Sequence, residues 1–149
     1  MMVPTKPTQD HIAAIGFLSE RRPMQRPINS KETPEPSGGY CQALEVSGST
    51  RTLYISGQIP VARDGSTPNS FAEQARLAWA NVEAQLAAAD MTFDNLVKHT
   101  TFLADRRYRD ENSEIRQQVL GNRTPALTVV IATIYDDRWL LEIEATAVA

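Results

Sequence analysis

One stretch restricts the fold of this chain more than any other. The run Ala126-Leu127-Thr128-Val129-Val130-Ile131-Ala132-Thr133-Ile134 is nearly all apolar and rich in Val, Ile and Thr. Branching at Cβ stiffens these side chains in a helix and suits them to a pleated surface, so residues 126–134 predict a buried strand. Successive side chains of a strand point to opposite faces, so this strand places apolar groups on both sides of its sheet. Both faces then need a cover.

Two helices are predicted to provide one cover. Ser70 and Glu73 have capping-box spacing, in which each side chain can satisfy the other residue's backbone N–H. Phe71, Ala75, Ala78, Val82 and Leu86 follow at helical spacing with Trp79 beside them, so an amphipathic helix should run to about Ala89. A second, polar helix is expected over residues 108–119, stopped by Gly121-Asn122. The remaining strands are expected at 40–46 and 51–56, joined as a hairpin through Ser47-Gly48-Ser49-Thr50, at 96–103, and at 139–148 after a turn at Asp136-Asp137. Residues 57–69 hold Pro60, Asp64-Gly65 and Pro68 and read as loop. The order β-β-α-β-α-β-β describes a two-layer α+β domain with both helices on one face of the sheet. Exposing the other face would forgo roughly 1.5–3 kcal/mol for each Val, Ile or Leu left in water. A contiguous patch of that kind marks an interface, so a homo-oligomer packed sheet to sheet is expected.

Composition narrows the class. A chain of 149 residues suits one domain, and 42% hydrophobic against 22% charged residues excludes disorder over its whole length. The net charge of −3 argues against nucleic acid as a partner. From Gly39 onward there are ten basic and fourteen acidic residues, so the domain itself is the more acidic part. Cys41 is the only cysteine, which excludes an internal disulfide, and no Cys/His pairs have zinc-ligand spacing. No apolar run approaches the ~18 residues of a membrane span, and a soluble cytoplasmic protein without a membrane partner is expected. Six of the nine prolines fall in the first 36 residues. Residues 1–38 therefore read as a Pro-rich, partly disordered extension, with one short apolar cluster at 12–18, and residues 39–149 as the domain.

Few residues offer chemistry. On the last strand Leu141, Ile143, Ala145 and Ala147 share the face toward the helices, and Glu142 and Glu144 share the other. The two carboxylates fit a solvated edge on pattern alone. In a wet cleft, one of them could orient or deprotonate water. Tyr40 fits either a pocket wall with a hydroxyl handle or an ordinary hairpin aromatic. Cys41 reads as a small hydrophobe and His99 as structural, with no second ligand or acid at useful spacing. Arg106, Arg107 and Arg109 are interleaved with Asp105, Asp110 and Glu111, which describes a self-paired surface.

Several segments, in order and in register, resemble one family. They are Tyr40-Cys41-Gln42-Ala43, Tyr54-Ile55-Ser56-Gly57-Gln58-Ile59-Pro60, Asn95-Leu96-Val97-Lys98, Phe102-Leu103-Ala104-Asp105, Thr124-Pro125-Ala126 and Leu141-Glu142-Ile143-Glu144-Ala145. Residues 39–149 resemble the Rid (YjgF, reactive intermediate deaminase) family, also known as L-PSP endoribonucleases. The resemblance implies a chorismate-mutase-like fold and a homotrimer whose sheets face inward, with ligand clefts between subunits. It also implies hydrolysis of enamines and imines to keto acids and ammonia without metal or organic cofactor. By resemblance Tyr40 walls the cleft, Ser56 and Gly57 form its floor, and Asn112 matches a family asparagine. Glu142 matches the glutamate that positions the attacking water, and the backbone near Val129 helps to hold that water. One position departs from the pattern. Leu127 stands where deaminase members carry an arginine that clamps the substrate carboxylate, and leucine supplies neither its charge nor its fork. Arg123, four residues earlier, is the nearest alternative in sequence.

Three functions follow as expectations. The first is a hydrolase of small imines, enamines or related C–N substrates, weak on 2-imino acids. The second is a non-catalytic trimer that binds a small metabolite. The third, an RNA-cleaving or translation-inhibiting protein, is disfavoured by the acidic balance and the lack of paired histidines.

Overall fold

The computed structural model describes residues 22–149. The apolar cluster at 12–18 lies outside the described residues. Six strands and two helices follow one another as β1 (Met24–Ile28), β2 (Ala43–Ser47), β3 (Thr52–Gln58), α1 (Phe71–Ala88), β4 (Leu96–Leu103), α2 (Arg109–Leu120), β5 (Ala126–Ile131) and β6 (Leu141–Val148). Short 3₁₀ turns at Phe93–Asn95 and Arg106–Tyr108 lead into β4 and α2.

Four strands form a mixed sheet in the order β3-β6-β4-β5. β6 runs antiparallel to both its neighbours, and β4 and β5 are parallel. Both helices lie over one face. From α1, Phe71, Ala75, Ala78, Trp79, Val82 and Leu86 are buried there, and from α2 Ile115 and Leu120 join them. Leu141, Ile143, Ala145 and Ala147 of β6 meet this layer as their alternation predicts. The two-layer α+β architecture is therefore as expected.

Ser70 caps α1 through Oγ, which accepts from the Glu73 N–H at 3.3 Å. The Ser70 hydroxyl in turn donates to Glu73 Oε2 at 2.6 Å, so the two side chains bind each other instead of completing the reciprocal backbone bond.

Three expectations are corrected. The hairpin between 40–46 and 51–56 does not form. β2 pairs with β1 in a separate two-stranded ribbon, where Arg26 lies opposite Glu45 and donates to it at 3.1 and 2.9 Å. β3 instead takes β6, whose Ala145 and Ala147 match Ile55 and Leu53 on the helix-facing side. Residues 126–134 are not a buried strand within one chain. β5 ends at Ile131 and is an edge, with Val129, Val130 and Ile131 at 38, 38 and 45% exposure. Glu142 and Glu144 do not lie on a solvated edge strand, because β6 sits between β3 and β4.

Candidate functional site

The face of the sheet opposite the helices is polar and open. Register places Tyr54 opposite Thr146, Lys98 opposite Thr146 and Ala126, Thr100 opposite Glu144, and Phe102 opposite Glu142. Lys98 Nζ donates to Thr128 Oγ1 at 2.6 Å across this face. Two shallow clefts share Glu144. One, of about 500 Å³, is lined by Gly57, Phe102, Ile134, Tyr135, Glu142 and Glu144. The other, of about 350 Å³, includes Ser56, Lys98, Thr100 and Thr146.

A bulge shapes the larger cleft. Ile55 pairs with Ala145 and Gln58 with Ile143, so three steps on β3 oppose two on β6 and one residue is extra. The irregularity falls at Ser56-Gly57, against Glu142. A Cβ at Gly57 would overlap Glu142 Oε1 and lie 2.7 Å from its Cδ. Gly57 is thus required by close approach, and the space it leaves holds the Glu142 carboxylate. Across the cleft, Tyr135 stacks on Trp139 with centroids 6.3 Å apart and is almost fully exposed at the rim. Asp136 accepts from the Arg138 backbone N–H, Nε and Nη2 at 2.9, 3.0 and 2.8 Å, which pins this loop. Those hydrogen bonds hold the Asp136 carboxyl at about 2. Gln74 ties the same loop to α1, donating to Arg138 O and accepting from Leu140 N.

The other expected site residues gather elsewhere. Cys41 forms an isolated parallel bridge with Ala126, setting Tyr40 beside the start of β5. Leu127 and Val129 align with His99 and Thr101, which point to the helix-facing side. Asn112 is 2% exposed on α2, and Arg116, one turn on, is 5% exposed. Tyr40, Asn112, Leu127 and Val129 therefore belong to the side away from Glu142. Ser56, Gly57 and Glu142 belong to the open face. A single chain brings together Gly57 and Glu142 but does not join the two groups.

Sequence reasoning passed over Phe102, Tyr135 and Arg116. The i, i+4 spacing of Asn112 and Arg116 was the available signal for the last. His99 is fully buried, edge-on to Trp79 at 5.1 Å, and among the described residues neither ring nitrogen has a hydrogen-bond partner. Burial, then the Arg116 and Lys98 charges, push its pKa down to about 3. Burial also draws Arg116 below the usual guanidinium value, and Tyr40 opposes that shift. Arg123, the nearest alternative clamp in sequence, is engaged elsewhere, with Nε donating to Asp94 Oδ1 at 2.6 Å and Nη1 to Leu120 O. Among the described residues no three of His, Cys, Asp and Glu come together as metal ligands.

The family model described as Endoribonuclease L-PSP matches residues 30–149. The chain belongs to the L-PSP (Rid) family. Its Rid relatives include proteins named 2-iminobutanoate/2-iminopropanoate deaminase. The one from Homo sapiens is 34% identical over 132 residues, covering 84% of this chain and 90% of that protein. The one from Bos taurus is 33% identical over 123 residues, covering 81% and 88%. Among solved Rid-like structures, YyfB from Yersinia pestis superposes with a TM-score of 0.72 at 26% identity, covering 84% of this chain and all but a few residues of its own. E. coli TdcF with bound serine superposes with a TM-score of 0.63 at 30% identity over 83% of this chain and 98% of that one. The mixed sheet with two helices on one face is thus the Rid fold. Among the described residues no helix is long and apolar enough to cross a membrane.

Proposed function

We propose that this chain is a cytoplasmic, cofactor-independent hydrolase of small imines, enamines or related C–N substrates, working in clefts between three copies. The observation that carries this reading is the Glu142 carboxylate seated in the space that Gly57 leaves open. In the proposed reaction Glu142 takes a proton from a water molecule as its oxygen bonds to the imine carbon. The C=N π electrons move to nitrogen, which accepts that proton. The carbinolamine then collapses to a carbonyl and ammonia, so that imine plus water equals ketone or aldehyde plus ammonia. Relatives named imine deaminases support this chemistry.

Two features support an assembly of copies. β5 exposes Val129, Val130 and Ile131 along an unpaired edge, which forgoes burial and invites pairing. Tyr40, Asn112, Leu127 and Val129 lie on the side away from Glu142, so a site using both groups needs two chains. Leu127 gives β5 no guanidinium, which supports weak use of 2-imino acids unless a cation on another element meets their carboxylate.

Ammonia release from imines generated in situ from amino acids and amines tests the reading. Glu142→Gln should lower turnover by about 100-fold or more, because a neutral amide cannot accept the proton. Unchanged turnover in Glu142→Gln would remove Glu142 from the mechanism. A ligand that raises Tm and is recovered unchanged, with no imine consumed, would favour a metabolite-binding trimer instead.

A further inference from the structure

Arg116 is a buried cation. Among the described residues it lies within ion-pair distance of no carboxylate, and its Nε is buried with no hydrogen-bond partner. Among the described residues its guanidinium donates one hydrogen bond, from Nη2 to Ser113 Oγ at 3.2 Å. A guanidinium has five N–H donors and cannot shed its charge at neutral pH, so an unmatched one inside a fold needs a partner from elsewhere. Residues that the family resemblance assigns to the ligand cleft lie around it. Asn112 lies one turn before it on the same face of α2. The Gly38-Gly39 segment, with φ of +115° and +71°, passes over the guanidinium and delivers Tyr40 to it. A Cβ at Gly39 would lie 3.6 Å from Nη2. On β4 the His99 nitrogens and Thr101 Oγ1 are also buried without partners among the described residues, aligned with Leu127 and Val129 of β5.

We infer that Arg116 reads the acidic group of the substrate, replacing from α2 the guanidinium that Leu127 cannot supply from β5. The ligand class is a small carboxylate. Its planar pair of oxygens matches the fork formed by Nε and Nη2, the edge of the guanidinium that faces Gly39 and lacks a charged partner. Leu127, beside His99, leaves the approach to that fork free of a competing positive charge. Tyr40 closes the other side and contributes its hydroxyl. The assay below rests on the imine-hydrolase reading, whereas the binding measurement does not.

Two substrates of one carbon skeleton separate this role from a structural one. The first is a 2-imino acid and the second its carboxamide, both generated in situ. Arg116→Gln should lower kcat/KM for the carboxylate by about 30-fold or more and for the carboxamide by less than about twofold. Arg116→Lys, which keeps the charge and loses the fork, should fall between. The wild-type chain gives an answer even if both variants fail to fold. Its Arg116 Nε–H resonance should shift on titration with 2-oxobutanoate and remain in place with 2-butanone. An unmoved resonance, or equal losses on the two substrates, overturns the inference, as does loss of the oligomer with carboxylate preference intact, which would make a partner copy's carboxylate the missing anion. If Glu142→Gln turns over normally while 2-oxobutanoate still shifts Arg116, the hydrolytic reading fails and the anion site stands.

Discussion

His99 makes acid stability a direct test of how the layer between sheet and helices is built. Its imidazole is fully buried, packs against Trp79 and has no hydrogen-bond partner on either nitrogen among the described residues. The charged groups acting on it, Arg116 from α2 and Lys98 from β4, are both cationic. Protonation in the folded state is opposed by burial first and by both cations next, which is why the pKa falls from 6.5 to about 3. In the unfolded chain the same ring protonates at its ordinary value. Below that value the unfolded state binds a proton that the folded state refuses. Folding stability attributable to His99 is therefore complete above about pH 7 and falls as pH drops through the ordinary value. It goes on falling until the folded-state value is reached. At about pH 5, some 1.5 units below the unfolded pKa, the loss is about 2 kcal/mol, and at about pH 4 it is about 3 kcal/mol. His99→Leu removes the titration and breaks no hydrogen bond among the described residues. Urea unfolding of both proteins, at one protomer concentration and at about pH 7.5 and pH 5, separates this term from the carboxylates they share. Wild type should lose about 2 kcal/mol more than His99→Leu between the two pH values. Parallel losses would show that the ring is protonated in the fold or hydrogen-bonded in the assembly, and the reasoning would fail.

Two further perturbations address the cleft. Gly57→Ala places a methyl group where the Glu142 carboxylate sits, and since that carboxylate ends a flexible side chain, Tm should change little while kcat falls by about 100-fold; an unchanged kcat would mean that Glu142 need not occupy that space. Leu127→Arg should lower Tm and leave kcat/KM on 2-imino acids no higher than wild type, because a second guanidinium beside His99 loses hydration and meets the like charge of Arg116; a gain of about tenfold in kcat/KM with the oligomer intact on light scattering would show that the carboxylate lacks a guanidinium in the wild-type chain.

Much of the fold was legible because its signals are local. The stripe from Phe71 to Leu86 and the Ser70 cap define α1 by spacing and end chemistry alone. The alternation from Leu141 to Val148 predicts which side of β6 meets the helices, and burial follows it residue by residue. The strand at Met24–Ile28 was not legible, since Pro27 argues against a strand and its partner β2 was already assigned to a hairpin. Periodicity also cannot separate a strand covered on both faces from an edge strand bare on both. Val129, Val130 and Ile131 have the pattern of the first and, within one chain, the exposure of the second. Glu142 and Gly57 were legible only as motif positions; their contact depends on a bulge that no spacing rule announces.

Leu127 looks in sequence like a deletion of function, because the position that should hold a cation holds an alkyl group. The fold aligns that alkyl group with His99, whose protonation is opposed by the buried Arg116 guanidinium, and no carboxylate among the described residues neutralises that guanidinium. Two arginines converging there would repel each other, and each would lose hydration in the same apolar layer. A chain with Arg116 buried on α2 therefore gains from an uncharged residue on β5. On this argument Leu127 and Arg116 are one substitution in two parts, moving the anion-binding group from the strand to the helix. The carboxylate would then approach from the Tyr40 side while Glu142 of the facing copy supplies the water. That change alters the distance and angle between acid group and imine carbon, and so selects substrates by where their carboxylate lies.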